Sequence, residues 1–117
     1  MNLKIESHTA DGVAVVSCQG RIVVGEEASA LRQEVKHILP ANGKIVLNLA
    51  GVTYIDSTGL GTLVGIYSSA RSAGGDIKLC GLGHRFRDVL QITKLATVFE
   101  VYESEQQAVE AFSGGKG

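Results

Sequence analysis

Ser57 and Thr58 are adjacent hydroxyl side chains that follow an acid, Asp56, and precede Gly59-Leu60-Gly61. Leu60, Leu63, Val64 and Tyr67 then recur at i, i+3, i+4 and i+7, which predicts one face of a helix. Asp56 suits its N-cap, because a carboxylate there accepts a hydrogen bond from a free first-turn N–H. Ser57 then takes the first helical position, where the positive end of the helix dipole favours an anion. A hydroxyl so placed, on a connection outside the core, is a candidate phosphate acceptor. Thr58, one step further into the helix, is the alternative.

Other chemistries fit these residues poorly. A nucleophilic Ser57 needs a base, and its only close neighbour in sequence is Asp56, a weak partner without a histidine. His84 could approach it only through the fold, and Asp-Ser-Thr-Gly is not the Gly-x-Ser-x-Gly elbow of hydrolases. Gly59, Gly61 and Gly65 superficially suggest a dinucleotide fingerprint, but Val64 stands where its third glycine belongs. Asp56 also places negative charge at the helix end that a pyrophosphate would need. His8, His37 and His84 are scattered without neighbouring cysteines, so no metal site is expected and no cofactor is implied. Cys18 and Cys80 lie far apart in strand-like apolar stretches and read as free buried thiols.

Gly61 and Gly65 stand one turn apart and would clear a strip of backbone on the helix. Glycine in a helix interior costs roughly 0.5–1 kcal/mol relative to alanine, so a close neighbour is expected over this strip. That neighbour is either the sheet of the same domain or a partner's side chain.

The positioning elements follow from periodicity. Leu3, Ile5 and Ser7 alternate with Lys4, Glu6 and His8 as in a half-exposed strand, and Asp11-Gly12 signals a turn into a second strand, Val13 to Cys18. Gly20 interrupts that pattern, and Arg21 to Val24 reads as a short extended piece. Ala28, Leu31, Val35, Ile38 and Leu39 form one face of a helix that begins after Gly25 and ends at Pro40 and Asn42-Gly43. Lys44 to Leu49 is a buried-strand run, Ala50 to Ile55 a connection, and Ser57 to about Arg71 the helix carrying the hydroxyls. Ala73-Gly74-Gly75 ends that helix. Ile77 to Cys80 is the next strand, and Gly81 to Gly83 a turn. A short helix follows, with Phe86, Val89 and Leu90 inward and Ile92 as a further inward candidate. Val98 to Tyr102 is a last strand. Ser104 N-caps a closing helix to Phe112, with Gln107 placed for a capping box. Strands alternating with helices after a hairpin imply an α/β fold with parallel central pairings.

The 117 residues suffice for one core, expected over residues 1–112, with 113–117 as a flexible C-terminal tail. At 44% hydrophobic and 20% charged residues the composition is that of a soluble domain. A net charge of -1 without a Lys/Arg cluster argues against direct nucleic-acid binding. No apolar run approaches the roughly 20 residues of a membrane span, and no signal peptide is evident, so the cytoplasm is the expected compartment.

Ile45-Val46-Leu47-Asn48-Leu49, Tyr54-Ile55 and Asp56-Ser57-Thr58-Gly59-Leu60-Gly61 together resemble the signature of STAS domains. More narrowly, the chain resembles bacterial anti-sigma factor antagonists of the sporulation and general-stress type. The likeness continues through Gly74-Gly75, the Ile77 to Cys80 strand and Ile92-Thr93-Lys94-Leu95. It implies a single STAS-like domain with a mixed four- to five-stranded sheet, an N-terminal hairpin and about four helices. It also implies a switch without catalytic activity, a monomer or weak dimer, that binds an anti-sigma factor serine kinase with a histidine-kinase-like ATPase fold and so frees a sigma factor. The kinase would phosphorylate Ser57 and release itself, and a serine phosphatase would reset the switch. Asp56, Ser57, Thr58, Gly59, Gly61 and Gly65 are the expected partner-binding residues. One departure stands out: the family commonly has an acid shortly after the glycine that ends the second strand, whereas here Gly20-Arg21-Ile22 leads to Val23-Val24. A scaffold that is never phosphorylated, in a transport, lipid-trafficking or stress-signalling complex, is the alternative implied function.

Overall fold

A computed structural model describes residues 3–113; residues 114–117 of the expected tail lie outside the described residues. The chain begins with β1 (Leu3–Ala10) and β2 (Val13–Ile22), paired antiparallel. Asp11 and Gly12 turn between them with φ of 52° and 79°, the paired left-handed conformation that a two-residue hairpin requires. α1 (Glu26–Ile38) crosses to β3 (Lys44–Ile55), which lies parallel to β2. α2 (Ser57–Ser72) crosses to β4 (Asp76–Cys80), parallel to β3. α3 (His84–Ile92) and a 3₁₀ turn (Leu95–Thr97) lead to β5 (Glu100–Tyr102), and α4 (Glu105–Ala111) closes the described chain. The sheet has five strands in sequence order, β1-β2-β3-β4-β5.

Alternation along the strands divides the core between the two faces of the sheet. Ala14, Val16, Cys18, Ile45, Leu47 and Leu49 pack with Leu31 and Val35 of α1, Leu63, Ile66 and Ala70 of α2, and Phe86 and Leu90 of α3. Val13, Val15, Val46 and Cys80 face the other way, against Ala108 and Val109 of α4. Ser104 caps α4, its Oγ accepting from Gln107 N–H at 3.1 Å, while Gln107 Oε1 accepts from Glu103 N–H at 3.2 Å.

Several boundaries differ from those read in the sequence. Ala50 to Ile55 continues β3, because β2 also runs on through Gly20 to Ile22, and the two extensions pair as Gln19↔Gly51, Gly20↔Val52, Arg21↔Tyr54 and Ile22↔Ile55. Two register shifts, between Ser17 and Gln19 and between Gly20 and Arg21, accompany that pairing. Each shift puts an extra residue in β3, at Leu49–Ala50 opposite Cys18 and at Thr53 between Val52 and Tyr54, which breaks the alternation that would have revealed the end of that strand. Val98 falls outside β5. Ile92 points outward and is 80% exposed.

Candidate functional site

The C-terminal ends of β2 and β3 meet at one corner. There the chain leaves β2 into Val23-Val24-Gly25 and leaves β3 into Asp56 and α2. In open α/β sheets, this carboxyl end of the strands is where binding sites collect.

Asp56 organises the corner. Its Oδ1 accepts from Gly59 N–H at 2.7 Å, the expected helix cap, and its Oδ2 accepts from Val24 N–H at 3.1 Å. Its own N–H donates to the Ile22 carbonyl at 3.2 Å. One carboxylate thus ties the β2–α1 connection to the start of α2. The bonds from Gly59 and then Val24 hold the Asp56 carboxyl below its ordinary range, so it stays ionised beside Ser57.

Ser57 and Thr58 are both exposed, at the first two positions of α2. The Thr58 carbonyl accepts from Thr62 Oγ1 at 2.9 Å inside the helix. The histidines are engaged elsewhere or head other elements: His8 pairs with Glu105 at 3.2 Å, His37 lies in the last turn of α1, and His84 opens α3. The corner therefore presents an exposed hydroxyl at the positive end of a helix, with an ionised carboxylate beside it.

The three glycines of α2 separate. A Cβ on Gly59 would collide with the carbonyl oxygen of Ile22 and stand 2.8 Å from Ile55 Cγ1. Gly59 is buried and offers no surface to a partner, a correction to its expected partner-binding role: the close neighbour is the end of β2. Gly61 and Gly65 are exposed with nothing within 4 Å of a built Cβ, so the sheet is not what approaches them. Ser57, Thr58, Gly61 and Gly65 leave an outer strip of α2 with little side-chain bulk.

A family model of the STAS domain matches residues 4–108. The chain belongs to the STAS domain family. The anti-sigma-B factor antagonist of Staphylococcus epidermidis is 31% identical over 112 residues, covering 91% of this chain and 98% of that protein. The anti-sigma-B factor antagonist of Bacillus subtilis (strain 168) is 27% identical over 110 residues, covering 94% of this chain and all of that one (100%). A crystal structure of an anti-sigma factor antagonist from Mycobacterium paratuberculosis matches with a TM-score of 0.79 at 25% identity, over 93% of this chain and 92% of that one.

Two features of this STAS domain escaped the sequence. Next to Val23, the position at which the resemblance would place an acid, Val24 stands 64% exposed, held by its backbone bond to Asp56. Tyr54 is 49% exposed two residues before Asp56, and the Arg21 guanidinium lies 5.5 Å from the centre of its ring. Arg21 and Tyr54 meet because they are register partners in the extended part of β2 and β3. Recognising that extension in the sequence would have found the pair. Among the described residues, no helix is long and apolar enough to cross a membrane.

Proposed function

We propose that this protein is an anti-sigma factor antagonist, a non-catalytic switch that binds an anti-sigma factor serine kinase through the corner around Ser57 and is turned off by phosphorylation of Ser57. The observation that carries this reading is the exposed Ser57 hydroxyl at the start of a helix whose cap, Asp56, is fixed by two backbone bonds. The relatives named as anti-sigma factor antagonists, matched over nearly their whole length, support it.

The switch works at the interface. Phosphorylation adds about -1.5 to -2 charges at Ser57. The helix end favours that anion and the Asp56 carboxylate opposes it, so the fold changes little. A partner surface packed over Ser57 must desolvate the dianion, at a cost of about 2 kcal/mol or more unless the phosphate is paired. Each 1.4 kcal/mol is about tenfold in affinity, so local repulsion is enough to release the partner. A serine phosphatase restores the binding form.

Mass spectrometry after incubation with the cognate kinase and ATP should place one phosphate on Ser57. Ser57→Ala should bind without being switched, and Ser57→Asp should bind at least about 10-fold more weakly. Phosphate on Thr58 alone, or equal affinity of the two variants, rejects the assignment.

A further inference from the structure

A groove of about 440 Å³ runs beside the Ser57 corner, between the second half of β3 and α3. Leu49, Val52, Tyr54 and Ile55 form one wall, and Phe86 and Val89 the other. His84 and Arg85 stand at its α3 end, and no carboxylate lines it. Gly83 gives α3 no side-chain cap, so first-turn N–H groups add to the positive potential at that end. With histidine counted neutral, Arg85 is the one formal charge among the residues that line the groove.

The apolar surface continues beyond the groove. Arg85, Val89 and Ile92 stand at i, i+4 and i+7, one row along α3. The outward-facing Ile92 thereby extends the wall that Val89 begins. Tyr54, half exposed and stacked with Arg21, extends the opposite wall toward Ser57. Tyrosine and arginine are the residue types that anchor protein interfaces, and an apolar row ending in a cation selects an apolar segment that carries acid at one end.

We propose that this groove receives an amphipathic, acid-flanked helical segment of the protein partner. The row from Arg85 to Ile92 spans about 10 Å, two turns of such a helix, whose apolar side chains would lie between Tyr54 and Val89–Ile92 while its acid meets Arg85. That the occupant is a protein segment rests on the reading that a partner covers Ser57.

The test uses the full chain and two synthetic helical peptides that share a leucine row at i, i+4 and i+7. One carries Glu at the flanking positions and the other Lys. Fluorescence anisotropy should show the Glu peptide binding at least about 10-fold more tightly, and Arg85→Glu or Ile92→Ser should each remove most of that affinity. Both positions are exposed, and an acid in the first turn of α3 favours the helix, so loss of binding with an unchanged thermal transition reports docking. Equal binding of the two peptides, indifference to both substitutions, or no saturable binding of either overturns the proposal. Ser57 does not line the groove, so the Ser57 readouts and peptide binding are separate measurements. A failed phosphorylation switch with intact peptide binding therefore rejects only the function proposed for Ser57. Failed peptide binding with an intact switch rejects only the groove.

Discussion

Asp56 joins segments 32 residues apart, and its two oxygens were not equally legible. The bond to Gly59 is local, so an acid before an apolar helical period is enough to anticipate it. The bond to Val24 depends on β2 and β3 ending side by side, which no local pattern reports. Asp56→Asn separates the two roles, because an amide can still cap Gly59 but turns an N–H toward Val24 if its oxygen keeps the cap. The Asp56 pKa is depressed in the folded state, so its stabilisation is present above the unfolded carboxylate range and is lost as pH falls through the folded value. Urea midpoints should show Asp56→Asn less stable than wild type at pH 7, with the gap closing on acidification; a gap independent of pH contradicts this. The glycines allow a paired comparison along one helix. Gly59→Ala forces a methyl against the Ile22 carbonyl and should cost about 1–3 kcal/mol. Gly65→Ala meets open space and should stabilise by about 0.5–1 kcal/mol. Changes of the same sign at both positions would contradict these placements.

Most elements were legible because their faces keep one period over most of their length: β1, the first part of β2, α1, α2 and β4 formed where the patterns put them. The exceptions have physical causes. The last part of β3 was hidden by Gly51 and by the two extra residues that β3 itself carries against β2, and β5 is three residues long, too short to alternate. What secures so short an edge strand is a side-chain cluster. Lys78, buried in β4, donates to Glu100 Oε1 at 2.6 Å and lies 4.7 Å from the centre of the Phe112 ring. Tyr102 donates its hydroxyl to the same Glu100 oxygen at 2.7 Å. The bond from Lys78, and then that from Tyr102, lowers the Glu100 pKa, and Glu100 pushes that of Tyr102 up to about 12. A raised phenol pKa contributes stability below the unfolded value, and that contribution is lost as pH rises toward the folded one. Glu100→Gln removes the acceptor charge, so the Tyr102 phenolate absorbance should appear at lower pH, nearer 10. An unchanged tyrosine titration would show that Glu100 is not the cause.

At the scale of the whole molecule, the sheet divides the core, and each face buries one cysteine: Cys18 packs under α1, α2 and α3, and Cys80 under α4. The apolar runs around both thiols made their burial readable, whereas the division between faces required the register of the strands. Burial pushes Cys18 up to about 12; burial, and then the Glu105 charge, push Cys80 up to about 11. Both folded values lie above the 9.0 of a free thiol, so above about pH 9 the unfolded chain releases protons that the folded chain keeps. The native state then binds more protons, and stability must fall as pH rises. Cys18 alone sets a slope of about 1.4 kcal/mol per pH unit between its unfolded and folded values. Urea midpoints under reducing conditions should hold steady from pH 7 to 8.5 and then decline, and Cys18→Ala, although less stable at neutral pH, should decline less steeply. Because the two thiols lie on opposite faces of one sheet, opening either face alone exposes only one of them. Thiol labelling of the native protein tests whether the faces open together. Both cysteines should react at the same slow rate, and urea should accelerate both in parallel with global unfolding. Faster labelling of Cys80 alone would mean that α4 lifts from the sheet independently while the α1–α2–α3 face, with the Ser57 corner at its edge, stays folded.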